Sequence, residues 1–298
     1  MRVTQSMLSS NMLQNLSNTN SRMQTYQNEL ASGKKLTKPS DDPAAAMRAM
    51  GYRSNLQQVQ QYQKNFTEAY NWLDSTDSSL GEATQVLQSV QELTTQAANG
   101  TLTSSDRQAI QDQVKQLRDH LVDVANTKVG NKYIFNGTNT LNPPVTKQTD
   151  ANGNTTVTVS TNNDPVNIEL SKGISIQVNS TPQNAFSQQM FDDLNSLITN
   201  LGPNGDPSQL SSQIDTITNQ VNNVVGERAT VGARENRVQL MEDRVNSQED
   251  SANQMMSNNE DADTAQVITD LTSEQSVQRA ALSVGASVIQ PTLVDFLK

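Results

Sequence analysis

Residues 59–97 read VQQYQKNFTEAYNWLDSTDSSLGEATQVLQSVQELTTQA, and this stretch decides how the chain can fold. Alternating steps of three and four residues link positions that are apolar except for two threonines: Val59, Tyr62, Phe66, Ala69, Leu73, Thr76, Leu80, Ala83, Leu87, Val90, Thr94, Ala97. Such a seam is typical of a helix in a coiled coil. Because a helix of this length spans about 58 Å, we expect other helices to run alongside it.

The stretch before this seam carries a shorter one. A helix is predicted over residues 4–31, with Gly33 as its stop, and its seam is Met12, Leu16, Thr19, Met23, Tyr26, Leu30. Asp42 can cap the next helix and Pro43 suits its first position. The central helix is therefore predicted to run from Pro43 towards Asn99.

Four further helical stretches can supply partners. The helix after Thr103 can fold back antiparallel on the central helix, with the seam Ile110, Val114, Leu117, Leu121, Val124. A short helix follows with Met190, Leu194, Leu197, Leu201, and a second long one with Leu210, Ile214, Ile217, Val221, Val224, Arg228, Val231, Glu235, Val238, Glu242, Val245. Its charged members face inward only weakly, or the seam drifts onto Met241 and Ala252. The last helix, from about residue 263, carries Val267, Leu271, Val277, Ala281, Val284, Val288.

In the middle of the chain, apolar residues recur at every second position rather than at steps of three and four. Apolar and polar residues alternate in 156–159, 166–170 and 174–178, and Asn152-Gly153 and Lys172-Gly173 supply turns. A short strand-like run at 131–137 precedes them. We therefore predict a small β module inserted in a helical protein.

Composition excludes several classes of function. The chain has 298 residues, 31 Asp and Glu against 21 Lys and Arg, no Cys and one His. The acidic balance argues against nucleic acid or an anionic membrane as main partner. Without Cys and with His120 alone, neither a structural zinc site nor a Cys nucleophile is expected. No catalytic motif or metal cluster is apparent, so neither an enzyme nor a cofactor is predicted. The sequence also shows no apolar signal segment and no membrane-spanning run.

The predicted fold is mainly α, an elongated antiparallel helical bundle or coiled coil of the N- and C-terminal halves with a small central β module. The terminal helices have matching seams and can pair only once the chain is complete. The predicted domains are a terminal helical domain of 1–40 and 261–298, a rod of 41–137 and 185–260, and a β-rich insertion of 138–184.

Three sets of motifs resemble the bacterial flagellin family. Residues 31–35 (ASGKK) with 39–43 (PSDDP) are similar to the family's N-terminal loop, and 92–100 (ELTTQAANG) to the bend after its long helix. Residues 260–263 (EDAD) with 293–297 (LVDFL) resemble the C-terminal pattern of members that join hook and filament, as does the run 130–137 (GNKYIFNG). The family motif residues are Ser40, Asp41, Asp42, Pro43, Tyr133, Phe135, Gly137.

This resemblance implies a structural subunit of the flagellum that self-assembles through its terminal helices. It implies export through the flagellar type III apparatus, an extracellular position at the hook tip, and a cytoplasmic export chaperone that holds the C-terminal helix. The partners implied are other copies of the chain in a ring, the first hook-associated protein, and flagellin. Filament flagellin itself and a soluble intracellular coiled-coil adaptor remain the alternatives.

Two sets of residues carry the predicted surfaces. The assembly and chaperone surface consists of Met12, Leu16, Met23, Leu30, Val277, Ala281, Val284, Val288, Leu293, Phe296, Leu297. The core of the rod consists of Phe66, Leu73, Leu80, Leu87, Val90, Leu117, Leu121, Ile214, Ile217, Val221.

Overall fold

The computed structural model describes residues 5–99, 102–150, 155–203 and 205–289, and it is mainly α with a small central β module, as predicted. Its helices are α1 (Gln5–Ser32), α2 (Pro43–Ala97), α3 (Ser104–Ala125), α4 (Pro182–Ala185), α5 (Gln188–Leu201), α6 (Leu210–Glu260) and α7 (Thr264–Ile289). Its strands are β1 (Lys128–Val129), β2 (Lys132–Tyr133), β3 (Val145–Thr149), β4 (Thr155–Val159), β5 (Asn167–Ser171) and β6 (Ile174–Gln177).

Local side-chain chemistry sets several helix ends. The Ala45 amide donates to Asp42 Oδ1 at 2.9 Å, so Asp42 caps α2 with Pro43 in the first position. At the start of α3, Thr103 and Asp106 form a reciprocal capping box. Gly33 follows α1 with φ of +68°, the left-handed conformation that ends helices and favours glycine.

The chain divides into two compact units. One comprises Met1–Gln58 with Gln248–Lys298, and the other is Val59–Ser247, so α2 and α6 contribute to both. The predicted domain boundaries near residues 40 and 261 stay a prediction.

The core of the 59–247 unit is built on the seam of α2. Phe66, Leu73, Leu80, Leu87 and Val90 are each at most 1% exposed. The seam's buried threonines bond within the helix, since Thr76 Oγ1 donates to the Trp72 carbonyl and Thr94 Oγ1 to the Val90 carbonyl. Hydroxyls that are satisfied in this way can sit in an apolar seam at little cost.

Helix α6 follows the seam only in part. Ile217, Val221, Val224, Val231, Val238 and Val245 are buried, and Met241 and Ala252 are buried as well. The drift of the seam that the sequence left open therefore occurs. The charged positions turn outward to partners on α2: Arg228 donates to Asp77 at 2.8 and 3.0 Å, and Tyr70 Oη donates to Glu242 at 2.9 Å.

One predicted core residue needs correction. Leu121 is buried and Leu117 is partly buried and packed against the core, whereas Ile214 is partly exposed and outside the core. The neighbouring polar residues take the inward positions. Arg118 is 5% exposed and donates to Asn195 Oδ1 at 2.9 Å, and Gln213 is 9% exposed and donates to Ser196 Oγ at 3.1 Å. Both side chains can be buried because α5 supplies polar partners.

The β module consists of antiparallel hairpins. β3 pairs with β4 and β5 with β6, while β1 and β2 form a two-residue ladder. Strands β4 to β6 match the predicted runs, but β3 was not predicted, because only Val145 in it is buried. Asn65 Nδ2 on α2 donates to the Glu169 carbonyl at 2.7 Å, which fixes β5 against the rod.

The family motif at 133–137 connects the module to the helices. Lys128 lies over the Tyr133 ring, and Phe135 is buried edge-to-face against Phe186 with centroids 4.9 Å apart. Gly137 has a φ of +54°, and a Cβ there would lie 2.6 Å from Asn162 Oδ1. Only glycine fits both the conformation and the space.

The α2 seam makes a quantitative prediction. Leu73→Ala should lower the free energy of unfolding by about 2–5 kcal/mol, because it leaves a cavity in a fully buried site. Gln85→Ala, an exposed position on the same helix, is the matched control and should shift it little. Urea titrations of both variants measure the two effects, and equal shifts would contradict the register assigned to α2.

Candidate assembly surface

Helices α1 and α7 pack along each other, as predicted for the two ends of the chain. Arg22 forms an ion pair with Glu274, and Gln278 Nε2 donates to Asn20 Oδ1 at 2.7 Å. Further along, a Cβ on Gly285 would overlap the terminal methyl of Met12. Residue numbers rise on α1 as they fall on α7, so the pair is antiparallel.

This pair buries little of its own surface. Thr19 and Val267 are 4% and 6% exposed, while the predicted surface residues Met12, Leu16, Met23 and Ala281 are half-buried. Two helices cannot enclose a core, since each has at most one face covered. Apolar side chains therefore remain exposed on both: Met7, Leu8, Leu13, Leu30, Ile268, Val277, Leu282, Val284.

An apolar groove of about 500 Å³ lies between the two helices. Its lining comes from both ends of the chain: Leu8, Asn11, Met12, Asn15 of α1 and Val277, Ala280, Ala281, Val284 of α7. The groove contains no charged side chain among these residues. It could accept an apolar helix face more readily than a polar ligand.

The structure brings together some of the predicted surface residues. Met12, Val277, Ala281 and Val284 line the groove, whereas Leu16, Met23 and Leu30 lie further along α1. Val288 belongs to α7, and Leu293, Phe296 and Leu297 lie outside the described residues. Sequence reasoning missed Leu8, although its position four residues before Met12 continues the seam by one step.

At the end of the α1–α7 pair away from the groove, Glu260 links the loop after α1 to the bend before α7. Its carboxylate is 1% exposed, and Oε2 accepts from Lys34 Nζ at 2.7 Å and from Arg53 Nη2 at 2.6 Å. The bond from Arg53 does most to hold the pKa of Glu260 below its ordinary value, against the opposing effect of burial, and Lys34 adds to it. Charge-assisted bonds of this kind favour the ionised form.

Backbone bonds surround this carboxylate. The Lys35 amide donates to the Glu260 carbonyl at 2.8 Å and the Ala262 amide to the Gly33 carbonyl at 2.9 Å. The resulting bridge pairs Lys34 with Asp261. It joins the loop after α1 to the bend before α7, the two segments that carry the ASGKK and EDAD motifs.

A second pocket adjoins the loop motif. It has a volume of about 660 Å³ and is lined by Thr25, Glu29, Lys35, Leu36, Asp41, Asp42, Ala45, Arg48, Asn258, Asn259. Burial raises the pKa of Glu29, and Asp270 and Asp41 raise it further. Amide and hydroxyl donors lower the pKa of Asp41, above all the Lys38 amide at 2.8 Å. Ser40 and Pro43 are exposed beside them.

Among the described residues, no group of three or more His, Cys, Asp or Glu side chains could hold a metal ion. None of the described helices is long and apolar enough to cross a membrane.

Sequence profiles of two regions match most of the chain. The bacterial flagellin N-terminal helical region matches residues 3–140, and the bacterial flagellin C-terminal helical region matches residues 214–297. The chain belongs to the bacterial flagellin family, a family of structural flagellar proteins.

Individual relatives refine this result. Flagellar hook-associated protein 3 of Salmonella typhimurium is 27% identical over 301 aligned positions, covering 94% of this chain and 95% of that protein. Its Escherichia coli namesake is 34% identical over 146 residues, 49% of this chain and 46% of the relative. A crystal structure of flagellar hook-associated protein 3 from Legionella pneumophila has a TM-score of 0.61 at 14% identity, covering 70% and 97%, and so shares the fold.

The close approach at Gly285 gives a test of the pairing. Gly285→Val should displace Met12, loosen α1 against α7 and speed amide hydrogen exchange in the segment around Met12. Ala286→Val, an exposed neighbour on the same helix, keeps the same added bulk away from α1. Mass spectrometry of exchange in both variants separates the effects, and equal rates would mean that α1 does not pack at Gly285.

Proposed function

We propose that this chain is a structural subunit that joins the hook of the bacterial flagellum to its filament and assembles through α1 and α7. The single observation that carries this proposal is the apolar groove, which α1 and α7 build together and which no other element of the described residues covers. The full-length similarity to hook-associated protein 3 of Salmonella typhimurium supports the same position in the flagellum.

The physical basis is the unequal burial of the two parts of the chain. The rod buries every seam residue of α2 except the partly buried Tyr62, with Leu73 and Leu80 at 0% exposure, while Val277 and Val284 are 46% and 62% exposed. Exposed apolar surface of this kind favours association with another apolar surface. Neighbouring copies of α1 and α7 offer that surface, so that assembly covers apolar side chains that the described residues of one chain leave exposed.

Export imposes a second requirement on the same surface. An apolar stripe that is uncovered before assembly promotes premature association, and a dedicated cytoplasmic chaperone that covers α7 would prevent it. We propose that the chaperone binds α7, that the flagellar type III apparatus exports the chain, and that the first hook-associated protein and flagellin are its neighbours on either side.

Filament flagellin is the second candidate, because the matching profiles are those of flagellin itself. The two functions differ in copy number and position rather than in chemistry. A junction subunit forms a short zone at the hook tip, whereas a filament subunit extends along the whole filament.

Substitutions in the groove test the assembly surface. Val277→Asp with Val284→Asp should abolish incorporation into flagella and binding of the chaperone, because both steps would bury a charge in an apolar interface. The melting temperature should stay within about 2 °C of wild type, since surface substitutions of exposed side chains change stability little. Calorimetry, pull-down and immunolabelling measure the three properties.

The matched control adds the same two charges one residue earlier on the same helix. Ser276 and Ser283 are exposed and do not line the groove, so Ser276→Asp with Ser283→Asp should assemble normally. If the groove variant also assembled and bound chaperone normally, the groove would not be the assembly surface.

The position in the flagellum is tested by immunogold labelling of intact flagella with an antibody to the β module. The proposal predicts label confined to a short zone at the junction of hook and filament. Cells that lack the chain should retain hooks and secrete flagellin into the medium. Label along the filament would support the flagellin alternative, and protein retained in the cytoplasm would support an adaptor.

A further inference from the structure

The carboxylate of Glu260 is buried where four segments meet. Lys34 comes from the loop after α1, Arg53 from α2, Glu260 from the end of α6, and Asp261 begins the bend into α7. The carboxylate is 1% exposed, while the side chains of Lys34 and Arg53 are 40% and 55% exposed. The two cations therefore reach water while the anion between them does not.

Only one of the two oxygen atoms of the buried carboxylate has hydrogen-bond partners among the described residues. Both cations bond Oε2, and Oε1 is buried without a hydrogen bond from any residue in the described ranges. A buried carboxylate is tolerated only when it is paired. The burial of Glu260 thus depends on keeping Lys34 and Arg53 in place, and with them the loop and α2.

The bridge around Glu260 lies in register with the α1–α7 pair. Met12 meets Gly285, Asn20 meets Gln278, and the pairing of Lys34 with Asp261 continues the same antiparallel order to the end of the helices. A shift of α1 along α7 would therefore break the bridge. Conversely, an intact bridge fixes which residues of the two helices form the groove.

We infer that Glu260 is a charge-dependent latch, which fixes the register of α1 against α7 by holding the loop at 33–35 to the bend at 260–262. Removal of its negative charge releases both segments together. The latch is a property of the single chain, and only its consequence for assembly, through the shape of the groove, rests on the proposed function.

Its surroundings determine how the latch responds to pH. Lys34 and Arg53 are the charged groups that bond the carboxylate, whereas Lys35 and Arg48 bond Asn258 and Asn259 and Asp263 caps α7. Because the pKa of Glu260 is lowered in the fold, its stabilisation is complete above the ordinary carboxyl range. It is lost only as the pH falls through the lowered value, so the latch stays closed at neutral pH and opens in acid.

Amide hydrogen exchange on the purified full-length chain tests the latch independently of assembly. The reporters are the peptides that contain the amides of Lys35 and Ala262, which form the bridge. Glu260→Gln keeps the shape and removes the charge. We expect it to speed exchange of both peptides roughly ten- to a hundredfold at neutral pH, and to leave the peptide around Leu80 unchanged.

Asp261→Asn is the matched control, because it removes an exposed charge from the next residue and leaves the backbone bridge available. It should leave both reporters at the wild-type rate. Arg53→Gln, which removes one of the two cations, should speed both reporters by less than Glu260→Gln does. In acid, corrected for intrinsic rates, wild type should approach Glu260→Gln.

Three results would overturn the inference: unchanged reporters in Glu260→Gln, equal loosening in Asp261→Asn, or loosening that spreads to the peptide around Leu80. Each of these concerns the isolated chain. A failure of the latch would thus leave the junction role intact, and flagella that assemble without this chain would leave the latch intact.

Discussion

A helix with one apolar face is stable in water only when another surface covers that face, and this constraint organises the whole chain. Only 34% of the residues are hydrophobic, so burial has to come from seams that meet rather than from a broad core. The seam of α2 packs into one core with α3 and α6 and is buried except at Tyr62, which is partly buried. In the described part of the chain, the seams of α1 and α7 lie against each other and leave a groove. The same pattern of apolar residues thus serves two purposes. In one unit the seam is buried and stabilises the fold, and in the other part of it stays exposed and is available for assembly.

The polar residues of these helices follow from the same constraint. Thr76 and Thr94 can occupy the buried seam because each hydroxyl bonds a carbonyl one turn earlier. Arg118 is buried because Asn195 and Asp119 satisfy its guanidinium. Glu260 is buried because two cations meet it. Buried polar groups are expensive unless they are satisfied, so each of them ties neighbouring elements together at one defined position.

Much of the fold could be predicted from the sequence, because the spacing of apolar residues along a helix or strand is a local property. The start of α2 at Pro43, the cap at Thr103 and the break before Thr264 all follow from residue types at fixed offsets. The inward turn of Arg118 and Gln213 was not predictable, since it depends on partners that α5 brings from about 80 and 17 residues away. Strand β3 escaped prediction because Thr146, Lys147 and Gln148 are all polar and exposed, which leaves one buried valine and no apolar alternation.

The candidate surface shows the same limit. The stripe of Val277, Ala281 and Val284 is visible in the sequence, but its partner across the groove is not, since Met12 lies more than 260 residues away. The burial of Glu260 was likewise hidden: among the three acidic residues of EDAD, nothing in the sequence marks this one as buried until Lys34 and Arg53 are placed beside it. Periodicity predicts which face is apolar, whereas only the assembled chain shows how much of it is covered.

The two ends of the chain form one antiparallel helix pair, α1 with α7, in a defined register. Because the chain contains no Cys, a pair of introduced thiols gives an unambiguous readout. Asn20→Cys with Gln278→Cys places thiols where the two side chains bond at 2.7 Å, and Asn20→Cys with Ala286→Cys places the second thiol about 12 Å further along α7. With a short bifunctional thiol reagent on dilute monomer, the account predicts rapid intramolecular cross-linking of the first pair and little of the second. Equal yields for the two pairs, or none for either, would contradict it.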